Sequence, residues 1–241
     1  MMKCKVIYHS FCQMLSQIKK DPMLLVSLIA PTLAGVAFRF LIPFLEGILC
    51  KQLQKKELLE PYYILFDSLL MLLAPIMFCF AAAMVILMEV DDHIATYYYV
   101  TPVGKQGYLI GRLVIPSLFG AIYSIILYLF FHLVKIPVST MILGILASAF
   151  MSVILSLMVV SLASNKVEGM AITKLSGIVL LGILVPFFVK GRIQYITAFL
   201  PSFWLGKYML ERSFIFVLIS FIFSIIYIIG FGRHFLNKIV S

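Results

Sequence analysis

The sequence alternates long apolar runs with short polar clusters, and the apolar runs occupy most of its length. A run of about 20 apolar residues is long enough to cross the hydrocarbon core of a membrane as an α-helix. The pattern therefore predicts an all-α integral membrane protein, in which a single transmembrane domain, 1–241, forms a bundle of six transmembrane helices. The predicted spans are about 22–44, 62–88, 109–134, 140–163, 171–189 and 213–232.

An amphipathic segment precedes the first span. Residues 5–20 place apolar side chains at helical spacing, with Lys, His, Gln and Ser between them; the apolar positions are Ile7, Phe11, Met14, Leu15 and Ile18. We predict a helix that lies in the membrane interface. Asp21 and Pro22 then mark the start of the first span, because an Asp side chain caps free amides and a proline at the first helical position loses no hydrogen bond.

Composition supports a membrane location and restricts the partners. Of the 241 residues, 63% are hydrophobic and 12% are charged, and the mean hydropathy is +1.12, so most of the chain requires lipid around it. The formal net charge of +9 lies in helix flanks, where it meets anionic lipid head groups. No basic run has interleaved aromatic residues, so we exclude nucleic acid as a partner.

The arrangement of charges also bears on orientation. An even number of spans puts both termini on one side of the membrane. Lys and Arg are slightly more numerous on that side, which carries Lys105, Lys166 and Lys174 among others. Because cytoplasmic segments carry an excess of Lys and Arg, we predict a multi-pass cell-membrane protein with cytoplasmic termini.

No catalytic motif is recognisable in the sequence. It has no paired histidines with the spacing of a zinc site, no Gly-x-Ser-x-Gly turn and no phosphate-binding loop. Gly104 and Lys105 are the nearest approach to such a loop, but Tyr99 stands where its first glycine belongs. The four cysteines are scattered and suggest neither a disulfide framework nor a metal site. We therefore predict that the chain is not an enzyme by itself.

Two ionisable residues are predicted to lie below the membrane surface. Arg39 near the end of the first span and Asp67 near the start of the second have similar distances to the same face. Intramembrane charges are costly unless they are paired, so an Arg39–Asp67 pair is one interpretation. The other is that Arg39 extends to the interface and Asp67 caps its helix.

Residues 89–112 form a polar segment between the second and third spans. It contains an acidic cluster, a threonine, a Thr-Pro turn and a stretch that leads back into the membrane. These features are Glu89, Asp91 and Asp92; Thr96; Thr101 and Pro102; and Tyr108 through Arg112. The segment resembles the first cytoplasmic loop of the type 2 ATP-binding-cassette permeases, the exporter family whose six-helix subunits pair with a separate ATPase.

The resemblance covers nearly the whole chain. Lys20-Asp21-Pro22 is similar to the family's start of the first span, and residues 165–171 to its second cytoplasmic loop. Leu200-Pro201 with Trp204 is similar to its external segment. The chain departs from the pattern at Ala95, where Gly is frequent, and at Arg112, where Lys is common.

The resemblance implies a permease subunit that exports a lipid, drug or peptide. It implies a separate ATPase subunit that holds ATP and Mg²⁺, so that this chain binds no cofactor, and a homodimer or heterodimer of permease subunits in membrane lipid. The residues that would couple the chain to the ATPase are Glu89, Asp91, Asp92, Thr96, Thr101, Pro102, Lys105, Lys166, Glu168 and Gly169.

Other interpretations remain open at the level of sequence. Each loop acid taken alone is as well explained by a solvated turn. An ion-gradient-driven secondary transporter needs ionisable groups inside the membrane, for which the chain offers Arg39, Asp67 and His132. A membrane protein that sequesters a peptide, as immunity proteins do, is the third class.

Overall fold

The computed structural model describes residues 2–54, 57–92 and 104–238, and it describes side chains from residue 11 onward except those of 104–106. Regular structure within these residues is helical. The α-helices are α1 (Met2–Lys20), α2 (Pro22–Val36), α3 (Ile42–Leu53), α4 (Tyr63–Asp91), α5 (Gly104–Leu109), α6 (Ile115–Phe131), α7 (Val138–Leu162), α8 (Lys166–Leu180), α9 (Val185–Phe188), α10 (Pro201–Glu211) and α11 (Phe214–Lys238). Irregular helical turns are the π turns Ala37–Leu41 and Ile110–Val114 and the 3-10 turns Glu60–Tyr62, Leu181–Ile183 and Arg192–Thr197.

Five helical segments of the described residues are long and apolar enough to cross a membrane. They are Pro22–Leu53, Glu60–Asp91, Gly107–Phe131, Val138–Leu162 and Phe214–Lys238. The first of them continues beyond its predicted limit near residue 44. Its π turn at Ala37–Leu41 leads directly into α3, and Pro43 lies in the first turn of α3, where a missing N–H costs little. The helix ends at Gln54, which has a left-handed φ of 51°.

The predicted fifth span is a divided helix. α8 ends at Leu180, a 3-10 turn follows at Leu181–Ile183, and α9 is a single turn that ends at Phe188. Pro186 has no N–H to donate to the preceding turn, and this missing donor interrupts the series of helical backbone hydrogen bonds. The hydroxyl of Ser202 in α10 donates to the carbonyl of Val179 at 2.5 Å and so binds one of the last carbonyls of α8.

The helices α4 and α7 form the centre of the bundle, and most of their side chains are buried. α6 packs against α4 at Gly120, where a Cβ atom would lie 2.5 Å from Cα of Pro75. Glycine is required there because only a residue without a side chain lets the two backbones approach so closely. α2 and α11 lie at the periphery and expose large apolar side chains, as helices that face lipid do.

The N-terminal helix α1 packs on the bundle through one apolar face. Phe11, Met14 and Ile18 are buried, whereas Gln13 and Ser16 are exposed. The ring of Phe11 stacks on that of Phe119 in α6, with centroids 5.0 Å apart. Its location in the membrane interface stays a prediction.

The bundle has two distinct ends. We call the end where Asp21, Asp91, Lys166 and Lys238 meet the loop end, because the predicted first loop leaves α4 there. The other end carries the short connector 132–137 between α6 and α7, and we call it the connector end. The divided fifth segment runs from one end to the other. At the loop end its first helical residue, Lys166, contacts Asp91, and at the connector end Phe188 stacks on Tyr62, with ring centroids 5.1 Å apart.

Candidate coupling site at the loop end

Lys166 ties three helix ends together. Its Nζ lies 2.6 Å from Oδ2 of Asp21, the residue that caps α2. Its backbone N–H, at the start of α8, donates to Oδ2 of Asp91 in the last turn of α4 at 3.1 Å. One residue of the predicted second loop therefore holds together the start of the first span, the end of the second and the start of the fifth.

The electrostatics of this junction favour the charged form of Asp21. The hydrogen bond from Lys166 holds the pKa of the Asp21 carboxyl below its ordinary value, although partial burial acts in the opposite direction. Asp21 also accepts a hydrogen bond from the backbone N–H of Met23 at 3.0 Å, which is the cap expected from the sequence. Asp21 thus serves as cap and as ion-pair partner.

The turn between α7 and α8 is fixed by its own side chains. Oδ1 of Asn165 accepts from the N–H of Glu168 at 2.9 Å, and Oε2 of Glu168 accepts from the N–H of Ser164 at 2.7 Å. The arrangement resembles a capping box, except that Glu168 accepts from the N–H of the residue before the cap rather than from that of the cap itself. At Gly169 any Cβ atom would collide with the side chain of Leu87 in α4. Glu168 and Gly169 therefore have roles within the chain.

Helix α11 ends beside the same turn. The ammonium of Lys238 donates to the carbonyl of Ser161 at 3.3 Å and to that of Ala163. These carbonyls belong to the end of α7, where a helix leaves its last carbonyls without intrahelical partners. The last described residue of the chain thereby joins the loop end.

Glu89 is not an exposed residue of the loop, contrary to the prediction. Only 1% of its surface is accessible, and its carboxylate forms an ion pair with Arg112, which is fully buried. The hydroxyl of Tyr108 donates to the other carboxylate oxygen at 2.7 Å. α4 continues as a helix through Asp91. Glu89 therefore faces the bundle, whereas Asp91 and Asp92 are exposed.

The remaining predicted coupling residues divide into two groups. Asp91 and Asp92 are exposed at the end of α4, as a partner-binding surface requires. Thr96, Thr101 and Pro102 lie outside the described residues, and for Lys105 the structure describes only the backbone of α5. The structure thus brings together Asp91, Lys166, Glu168 and Gly169 from the predicted set.

Arg39 and Asp67 bind the same connector rather than each other, so the direct pair, one of the two interpretations left open by the sequence, is not formed. Nη1 of Arg39 donates to the carbonyl of His132 at 2.7 Å. The two carboxylate oxygens of Asp67 accept from the N–H groups of Leu133 and Val134, both at 2.9 Å. Asp67 is buried, and two backbone donors satisfy its oxygens in place of a guanidinium.

Three residues of interest were not identified as such from the sequence. In the sequence, Tyr108 and Arg112 indicate only the return of the chain to the membrane, yet in the structure they bind Glu89. Lys174 contributes to the charge of the predicted cytoplasmic side, but it lies within the predicted fifth span and lines a cleft between helices. A lysine inside a predicted span is the signal that was available for Lys174.

The described part of the chain contains no group of three or more His, Cys, Asp or Glu side chains arranged to hold a metal ion. The charged groups of the loop end instead connect helices to one another.

Comparison with known proteins decides the family. A family model described as "Fluoroquinolones export permease protein Rv2686c-like" matches residues 14–236. The chain belongs to this family. It is a family of type 2 ATP-binding-cassette permeases, so the family resemblance found in the sequence is confirmed.

Two relatives of this permease come from Mycobacterium tuberculosis. They are the fluoroquinolones export permease proteins MT2760, from strain CDC 1551 / Oshkosh, and Rv2686c, from strain ATCC 25618 / H37Rv. Each is 23% identical to this permease over 190 residues, which covers 78% of this chain and 75% of the relative.

Proposed function

We propose that this chain is the membrane-spanning subunit of an ATP-driven exporter and works with a separate ATPase subunit. The observation that carries the proposal is the family match over residues 14–236. ATP and Mg²⁺ would bind to the partner, and this chain would turn the partner's motion into a rearrangement of its helices.

The loop end is the surface we propose for the ATPase. The exposed acids Asp91 and Asp92 lie there, beside a junction in which Lys166 holds three helix ends. α4 extends from this junction for 29 residues through the centre of the bundle. A contact made at its end therefore acts on a long helix with extensive packing.

We place the loop end and both termini in the cytoplasm of a cell-membrane protein, with α1 in the interface. The divided segment of α8 and α9 would complete six crossings, and a second copy or a related permease subunit would complete the path. The charge asymmetry predicted from the sequence supports this orientation. The two alternatives considered from the sequence, a secondary transporter and a peptide-sequestering protein, belong to other classes than the family to which the chain belongs, so we do not propose them.

For the cargo we propose a small amphipathic molecule, with a lipid, a drug or a peptide as the broader range. The relatives are named for fluoroquinolone export, so a fluoroquinolone is the first compound to test. Cells that express the chain together with an ATPase subunit should accumulate less fluoroquinolone than cells that express the chain alone or the ATPase alone.

A charge-removal experiment tests the ATPase interface. We would co-express a candidate ATP-binding-cassette ATPase with the wild-type chain or with an Asp91→Asn, Asp92→Asn variant, and measure how much ATPase co-purifies. Asparagine keeps an acceptor for the N–H of Lys166 and removes only charge. We expect several-fold weaker binding, since each exposed charge contributes up to about 1 kcal/mol.

The matched control is a Glu57→Gln, Glu60→Gln variant, which removes two exposed acids from the opposite side of the bundle. It should bind the ATPase as the wild type does. If both variants bind the ATPase as tightly as the wild type does, Asp91 and Asp92 are solvated residues that do not contact the ATPase. ATP hydrolysis by the purified chain alone would overturn the proposed division of labour.

A further inference from the structure

A cleft of about 360 Å³ lies between α4, α7 and α8 and is open on one side. Its walls are apolar, with Ile76 and Phe80 from α4, Leu155 from α7 and Leu180 from α8. This volume falls within the range of pockets that bind small molecules, at about 300–1,000 Å³, and is too small for a whole phospholipid. The cleft is therefore suited to the body of a small apolar compound.

Lys174 is the single charged residue among the described residues that line the cleft. It follows Lys166, the first residue of α8, by eight positions, which is roughly 12 Å along a helix. The ion pairs of the described residues use Lys166, Lys207 and Arg112 and do not include Lys174. Lys174 is exposed rather than buried, so its ammonium at the wall of the cleft is accessible to an anion.

The hydroxyl groups of the cleft define the rest of its chemistry. Thr173 donates to the carbonyl of Gly169 at 2.8 Å, Ser176 to that of Thr173 at 2.7 Å, and Ser156 to that of Ser152 at 2.8 Å. Each hydroxyl hydrogen is used within its own helix, while the oxygen still has lone pairs to accept with. The ammonium of Lys174 is thus the strong donor that the lining offers to a ligand.

We propose that this cleft binds a small amphipathic organic anion, with its carboxylate on Lys174 and its apolar body between α4, α7 and α8. The inference rests on the proposed function only in taking this ligand as the exported cargo; binding itself needs no ATPase. Hydrogen-bond donors on the ligand would meet the hydroxyl oxygens, so an anion that also carries an N–H or O–H fits best.

Binding can be measured on the purified chain in phosphatidylcholine nanodiscs. The probes are pyrenebutyrate, which has one carboxylate and an apolar fluorescent body, and its uncharged methyl ester. We expect the wild type to bind the acid more tightly than the ester. Lys174→Gln should weaken binding of the acid about tenfold or more and leave binding of the ester unchanged, because only the acid contacts the ammonium.

Three further variants make the result specific to this cleft. Lys174→Arg should retain binding of the acid. Lys190→Gln removes an exposed lysine beyond the divided helix and should change neither affinity. Gly177 lines the cleft, and a Cβ atom there would meet nothing within 4 Å, so Gly177→Leu should fill the space without disturbing the fold and weaken both probes.

The proposal is overturned if the wild type binds neither probe, if the acid binds no better than the ester, or if Lys174→Gln leaves the acid's affinity unchanged. The last result would mean that Lys174 extends out of the cleft to the membrane interface. Failure of the ATPase to co-purify would overturn the proposed function and leave these binding results standing.

Discussion

The carboxylate of Glu89, in the last turns of α4, forms a buried ion pair with the guanidinium of Arg112, in the π turn that precedes α6. The two residues are the first and the last of the polar segment 89–112, and Tyr108 donates to the same carboxylate at 2.7 Å. The pair therefore closes the base of the loop. The end of the second span and the start of the third are held together at this point.

Loss of one partner of this pair should destabilise the protein. Glu89→Ala leaves the Arg112 guanidinium buried without its anion, for which we expect a cost of about 3–5 kcal/mol. The measurement is the unfolding temperature of the protein in detergent, monitored through the circular dichroism signal of its helices. Asp92→Ala, which removes an exposed acid three residues away, should stay within about 0.5 kcal/mol of the wild type.

A double variant separates the pair from simple loss of packing. Glu89→Leu with Arg112→Leu removes both charges, so it should be more stable than Glu89→Leu alone. If Glu89→Ala unfolds at the same temperature as Asp92→Ala, the ion pair does not contribute to the fold.

The ion pair between Asp21 and Lys166 should make stability depend on pH. Because the hydrogen bond from Lys166 lowers the pKa of Asp21 in the folded state, its stabilisation is complete above the unfolded pKa and is lost as the pH falls through the folded pKa. Asp21→Asn keeps the helix cap and removes the charge. We expect it to be less stable than the wild type by up to about 1 kcal/mol near pH 7, with the gap closing below about pH 4.

The control for this experiment is Asp21→Ala, which also removes the cap and should cost about 1 kcal/mol more than Asp21→Asn at every pH. Unfolding temperatures of the three proteins across the pH range provide the test. A gap between wild type and Asp21→Asn that stays constant down to acidic pH would contradict the assignment of the charge effect to this pair.

The close approach of α6 to α4 predicts a strong effect of a single methyl group. Gly120→Ala would put Cβ 2.5 Å from Cα of Pro75, a backbone atom that cannot move aside, and should cost roughly 1–3 kcal/mol. Gly230→Ala in α11 is the matched control, because its Cβ would meet nothing within 4 Å. Alanine there should be neutral or slightly stabilising. Equal unfolding temperatures for the two variants would show that the helices separate readily.

The sequence predicted the helical class and the family because both depend on patterns that extend over many residues. It misjudged Glu89 because three acids close together in sequence look like one cluster, whereas successive residues of a helix are 100° apart. The helix α4 continues through Asp91, so Glu89 and Asp91 point in opposite directions. Whether a charged residue faces the bundle or the solvent depends on where the helix ends.

Arg39 and Asp67 show a second limit. Their similar depth was a sound inference, and both do contact the same element. The partners are a backbone carbonyl and two backbone N–H groups, which nearly every residue possesses. A sequence identifies side chains that can pair, but it does not reveal which stretch of backbone folds over them.

The division of the fifth segment affects its bending stiffness. We expect the hydrogen-bond ladder of α8 to carry a displacement applied to Lys166 as far as Leu180, because the ladder is interrupted only at the 3-10 turn that follows. α8, which forms one wall of the cleft, is therefore expected to move with the loop end. α9 stacks on Tyr62 through Phe188 at the connector end, so we expect a displacement from the loop end to act mainly on the half of the segment that lines the cleft.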